Sequence, residues 1–133
     1  MKKIEQYLPY LKDCIGIKPG KPILKDIIKI GRDTSKLSDK ELWTESVLEI
    51  KPKGKNEASI VWQWNSWDHF TQNKYNTLPN YSIVEEHPEL IDVNYNLELN
   101  STADFLHFNS IDFNPQLNQI LLSVRNFNEI WII

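Results

Sequence analysis

From Ser46 onward, apolar and polar positions alternate in short runs, and clusters rich in Asn, Gly and Pro separate the runs. A period of two sends successive side chains to opposite faces of a strand. Each run therefore predicts a strand and each cluster a turn. Val47 to Lys51 is the first run, Pro52-Lys53-Gly54-Lys55 its turn, and Ile60 to Trp64 the returning strand. Residues 65–103 read as loop, with one short helix over His87-Pro88-Glu89-Leu90-Ile91-Asp92. Two more runs flank Asn114-Pro115-Gln116-Leu117-Asn118, and beyond Arg125-Asn126-Phe127-Asn128 a last strand spans Glu129 to Ile133. Upstream the alternation is lost. Over residues 1–45, Pro9, Gly16, Pro19, Gly20, Pro22 and Gly31 break any long element. Two short features remain there, a helix over Lys25 to Ile30 and a turn in which Ser38 caps with Glu41. The chain is thus predicted to be mainly β: an irregular N-terminal segment with short helices over 1–45, then antiparallel meanders over 46–133. Meanders of this kind build sandwiches and propeller blades.

The last hairpin carries the candidate chemistry. With residues 114–118 as a five-residue loop, positions equidistant from Gln116 face each other, so Phe113 opposes Gln119 and Ile111 opposes Leu121. Asn109 then opposes Ser123, and His107 opposes Arg125. Directly opposed Cβ atoms lie about 4.5–5.5 Å apart. His107, Asn109, Ser123 and Arg125 are therefore expected to form one polar cluster suited to an oxyanion.

Charge distribution changes the weight of Arg125. Residues 1–66 hold twelve Lys and one Arg against nine acids, a net of +4; residues 67–133 hold Lys74 and Arg125 against nine acids, a net of −7. These sum to the overall −3. A lone arginine in an acidic half is either a binding group or a surface cation paired with Glu129 or Asp104. The acidic half argues against nucleic acid as a partner. Cys14 is the single cysteine and permits no internal disulfide. The first twenty residues lack the apolar core and small-residue cleavage site of a signal peptide, and no run reaches membrane-spanning length. Ile130-Trp131-Ile132-Ile133 forms an apolar edge that needs covering. Either the N-terminal segment covers it, or the chain is one piece of a larger β protein; the second is the expectation.

Several long words in one order carry a family resemblance. They are Gly31-Arg32-Asp33-Thr34-Ser35-Lys36-Leu37-Ser38-Asp39-Lys40-Glu41-Leu42-Trp43, Trp62-Gln63-Trp64-Asn65-Ser66-Trp67-Asp68-His69-Phe70, His87-Pro88-Glu89-Leu90-Ile91-Asp92-Val93-Asn94-Tyr95, and Ser123-Val124-Arg125-Asn126-Phe127-Asn128-Glu129-Ile130-Trp131. From about Ile27 to Ile133 the chain resembles the PAPS-independent aryl sulfotransferases of bacteria. The resemblance implies a six-bladed β-propeller whose central funnel binds an aryl sulfate. It also implies sulfuryl transfer from a phenolic sulfate to a phenol through a sulfohistidine, without a cofactor. The family's anion-binding histidine, asparagine and arginine fall on His107, Asn109 and Arg125. Such transfer requires charge stabilisation on the equatorial and leaving oxygens. Arg125 supplies a planar fork that can hold two sulfate oxygens, and Asn109 and His107 supply single donors. Ser123, Trp67 and His69 complete the candidate substrate contacts: a hydroxyl, a ring able to stack on a phenol, and an imidazole.

The resemblance has gaps. The family's nucleophilic histidine belongs to a later blade beyond residue 133, and a second active-site histidine belongs upstream, where Lys12 to Lys25 contain none. Neither His69 nor His87 matches those motifs. At roughly 40–50 residues per blade the chain supplies at most about three blades, an incomplete propeller. The isolated chain is therefore expected to be inactive, and to self-associate or pair with missing blades. The alternative is a non-catalytic β-propeller fragment that serves as a binding or relic protein. Trp62 and Trp64 share a strand face suited to blade packing. No His spacing suits a metal, and no glycine-rich phosphate loop or nucleophile elbow occurs. The family is usually periplasmic or secreted, so compartment is open.

Overall fold

The computed structural model describes residues 14–20, 24–39, 41–99 and 101–133. Among the described residues the protein is mainly β, built from small antiparallel sheets with one short helix. The elements are β1 (Cys14–Gly20), α1 (Leu24–Lys29), β2 (Thr44–Lys53), β3 (Glu57–Asn65), β4 (Phe70–Thr71), β5 (Ile91–Asp92), β6 (Phe108–Asn114), β7 (Gln119–Val124) and β8 (Glu129–Ile132). One three-stranded sheet runs β1-β2-β3, another β6-β7-β8, and β4 and β5 form a short parallel pair. No described helix is long and apolar enough to cross a membrane.

The β2–β3 hairpin forms where alternation predicted it, with Gly54 in the left-handed region at φ 69° to turn the chain. β1 was not foreseen. It lies inside the segment expected to be irregular and pairs along β2 from Cys14↔Ile50 to Gly20↔Thr44. An edge strand tolerates the Pro19 and Gly residues that hid it. α1 matches the expected short helix and ends in a Schellman motif: Arg32 N–H donates to Ile27 O and Gly31 N–H to Ile28 O, with Gly31 at φ 75°.

Of two further expected helical features, the cap from Ser38 to Glu41 runs through residue 40, outside the described residues; Ser38 N–H and Oγ both donate to Ser101 O, at 2.9 and 3.2 Å. The helix expected over His87–Asp92 is replaced by a 3-10 turn at Val84–Glu86 followed by β5. His87 precedes Pro88, which disfavours helical backbone there, and its φ and ψ are −127° and 68°.

A single apolar cluster joins the sheets. Val47 of β2, Phe70, Phe105, Phe108 of β6, and Ile120, Leu122 and Val124 of β7 are all buried in it with Ile27 of α1. Buried Arg32 lies in this interior, its guanidinium 4.4 Å from the Phe105 ring centre and donating to Val93 O. Burial lowers its pKa to about 10, while Asp92 and Asp33 oppose that shift.

Candidate functional site

Register decides which polar groups meet at the last hairpin, and it differs from the expected one. The loop has four residues, because Asn114 stays in β6 and pairs with Gln119. Its Oδ1 meanwhile accepts from the Gln116 and Leu117 N–H groups at 3.0 and 3.2 Å, and Asn118 closes the loop at φ 52°. The pairs are Phe113↔Ile120, Ile111↔Leu122 and Ser110↔Ser123, so Asn109 does not oppose Ser123. This register buries Ile120, Leu122 and Val124 on one face of β7.

A bulge between Phe108 and Ser110 then absorbs the one-residue offset, leaving Asn109 as the extra residue, and Phe108 pairs with Val124. The ladder ends at that pair, so His107 and Arg125 lie just outside the two strands and meet through one backbone bond, Arg125 N–H donating to His107 O at 3.2 Å. Arg125 opens a 3-10 turn (Arg125–Phe127) and is exposed. Among the described residues its guanidinium forms no ion pair. The two acids suggested as its partners are used elsewhere: Glu129 accepts from Trp131 Nε1 at 2.6 Å, and Asp104 accepts from His107.

His107 is the centre of the site. It adopts φ 56°, a left-handed conformation that costs energy for a residue with a Cβ. Four contacts hold it there. His107 Nδ1 is 2.5 Å from Asp104 Oδ2, and the Asp104 carbonyl accepts from Asn126 Nδ2 at 2.5 Å. The next residue, Phe108, donates its N–H to Glu45 Oε2 at 2.8 Å. The His107 carbonyl accepts from Arg125. Glu45 comes from β2, positioned by its own N–H on buried Ser66 Oγ at 3.1 Å. Burial pushes the Glu45 carboxyl above its usual range; the Phe108 N–H opposes this, the Asp104 charge adds to it, and His107 offsets it.

The other candidate contacts lie in a separate place. An open groove of about 680 Å³ is lined by His69, His87, Trp64, Tyr95 and Trp131 among others, and by none of His107, Asn109, Ser123 or Arg125. His69 lies flat on Trp64, ring centres 4.7 Å apart, and Trp67 packs edge-on against Phe70 at 5.9 Å. Trp67 thus contributes to the interior. The groove's charged lining is Glu89, Asp92 and Glu129, with no Lys or Arg, so it does not suit an anion.

A scan against protein-family models, a search of curated proteins and a search of solved structures each returned no match. Sequence reasoning missed Asp104 and Glu45 as supports of His107. The Asp-x-x-His spacing was the available signal for Asp104; Glu45, far away in sequence, had none.

Proposed function

We propose that this chain is part of an aryl sulfotransferase-like β-propeller and carries a portion of its anion site, with His107, Asn109 and Arg125 as the groups that meet a phenolic sulfate donor and a phenol acceptor. The observation that carries this reading is the backbone contact between His107 and Arg125, just past the end of the β6–β7 ladder and close to the Asn109 bulge. Bulges recur beside active sites because they re-aim side chains. The apolar surface of β6-β7-β8 supports the blade part of the reading. One face is the buried interior, yet Leu121, Ile130 and Ile132 of the strands remain 43%, 59% and 63% exposed. A sheet apolar on both sides suits packing between neighbouring blades.

The test is titration of the chain with 4-nitrophenyl sulfate, followed by NMR of backbone amides and by 4-nitrophenolate release with phenol as acceptor. Binding is expected to shift the amides of His107, Asn109 and Arg125, without turnover, because the residue that takes the sulfuryl group in the family has no counterpart here. Arg125→Ala should weaken binding about tenfold, the scale of one lost charged hydrogen bond. Arg125→Lys should recover little of it, since an ammonium cannot hold two oxygens as a fork does. Absence of binding, or binding indifferent to Arg125, removes the sulfotransferase reading and leaves a non-catalytic β fragment.

A further inference from the structure

We propose that Asp104 is a positioning residue that fixes the His107 ring with Nδ1–H on its carboxylate and Nε2 outward, so that Nε2 takes the proton of a phenolic hydroxyl. This rests on the anion-site reading above and divides its labour: Arg125 for sulfate oxygens, His107 for the acceptor's hydroxyl.

A neutral imidazole has one N–H, and the partner of one nitrogen decides which nitrogen carries it. An ionised carboxylate only accepts, so at 2.5 Å from Asp104 Oδ2 the His107 Nδ1 must be the donor. The lone pair is then on Nε2. Sulfate oxygens also only accept, so a neutral ring in this tautomer offers them nothing. A phenol hydroxyl donates, and it fits. Proton transfer breaks the phenol O–H bond and forms Nε2–H. The electron pair stays on the phenolate oxygen, ready to bond sulfur, and the positive ring rests against Asp104.

The dyad is held at both ends. Asn126 Nδ2 fixes the Asp104 carbonyl, Arg125 N–H the His107 carbonyl and Glu45 the Phe108 N–H. The charged groups shown beside the ring are Asp104 and, from β2, Glu45, while Arg125 meets His107 through its backbone N–H. Such clamping explains how a residue with a Cβ is kept at φ 56°.

Side-chain ¹⁵N NMR of His107 reads the tautomer directly, without requiring catalysis. In the wild-type chain with a neutral ring, Nδ1 is expected to carry the proton. In Asp104→Ala and Asp104→Asn the population should move towards Nε2–H, the form an unconstrained ring prefers. Backbone amide spectra identify whichever variant keeps the fold. Adding phenol, which keeps its hydroxyl proton where the ring is neutral, should shift the Nε2 signal in the wild type, and its binding should weaken about tenfold in the Asp104 variants. An Nε2–H ring in the wild type, or one unmoved by either substitution, overturns the proposal even where aryl sulfate binds through Arg125. An unresponsive Nε2 signal with phenol overturns it equally. An Asp104-set tautomer that responds to phenol, without Arg125-dependent sulfate binding, keeps the dyad and removes only the anion site.

Discussion

Glu45 is a carboxylate placed where a charge is costly. Its folded pKa is raised above the ordinary 4.5, chiefly by burial. A group raised in this way contributes stability that is complete below the unfolded pKa and lost as pH climbs through the folded value. Glu45→Gln keeps an oxygen to accept the Phe108 N–H and carries no charge. The variant should therefore be more stable than wild type near about pH 7, with the advantage vanishing below about pH 4; urea denaturation at the two pH values measures it. Glycines give a sharper contrast. Gly31 and Gly54 both have positive φ, 75° and 69°. A Cβ on Gly31 would lie 2.7 Å from Gln72 Cγ and 3.1 Å from Leu78 Cδ1, whereas one on Gly54 meets nothing within 4 Å. Gln72 is fully buried and its Oε1 accepts from the Lys74 and Tyr75 N–H groups, so it cannot swing aside freely. Gly31→Ala should cost about 2–4 kcal/mol, strain plus overpacking. Gly54→Ala should cost about 1 kcal/mol from strain alone.

Among the elements, the β6–β7 hairpin shows what a sequence pattern can and cannot carry. Alternation located both strands, the loop and β8, because one face must be apolar whatever the register. Register itself was lost by one residue. Asn114 serves two ends, pairing with Gln119 through its backbone while its side chain caps the loop. A polar residue beside a proline gives no sign of that double use. The Asn109 bulge was equally silent, since no glycine marks it, and β1 was masked by Gly16, Pro19 and Gly20. The His107 dyad depends on Glu45 from another sheet, a contact that no local spacing encodes. The bulge yields a prediction of its own. Deleting Asn109 leaves Ser110↔Ser123 and Phe108↔Val124 as consecutive regular pairs, so the ladder has no need of the extra residue. Stability should change by less than about 1 kcal/mol, as for surface changes away from the core. The amide shifts that the proposed anion site predicts with 4-nitrophenyl sulfate should nevertheless be absent. A large stability loss would mean that the bulge serves folding rather than the site.

At the scale of the whole molecule, the question is what the outer face of the second sheet does in water. Ile132 pairs with Leu121 and Ile130 with Ser123, so three half-exposed apolar side chains form one patch beside the β8 edge. Covering each would contribute about 1 kcal/mol, half the value for full burial. Two copies meeting face to face would gain about 6 kcal/mol from six such side chains, against a cost of association of about 4 kcal/mol or more. That balance is too small for a tight dimer and large enough for weak, concentration-dependent association. Sedimentation over a rising concentration series should therefore show reversible growth in mass for the wild type. Ile130→Lys with Ile132→Lys should abolish it, because the two ammonium groups must stay hydrated while Ile120, Leu122 and Val124 remain packed beneath. The melting temperature should hardly move, which separates loss of contact from loss of fold. Mass growth that survives the double change would shift the sticky surface away from this sheet, towards the exposed Ile60, Val61 and Trp62 of β3.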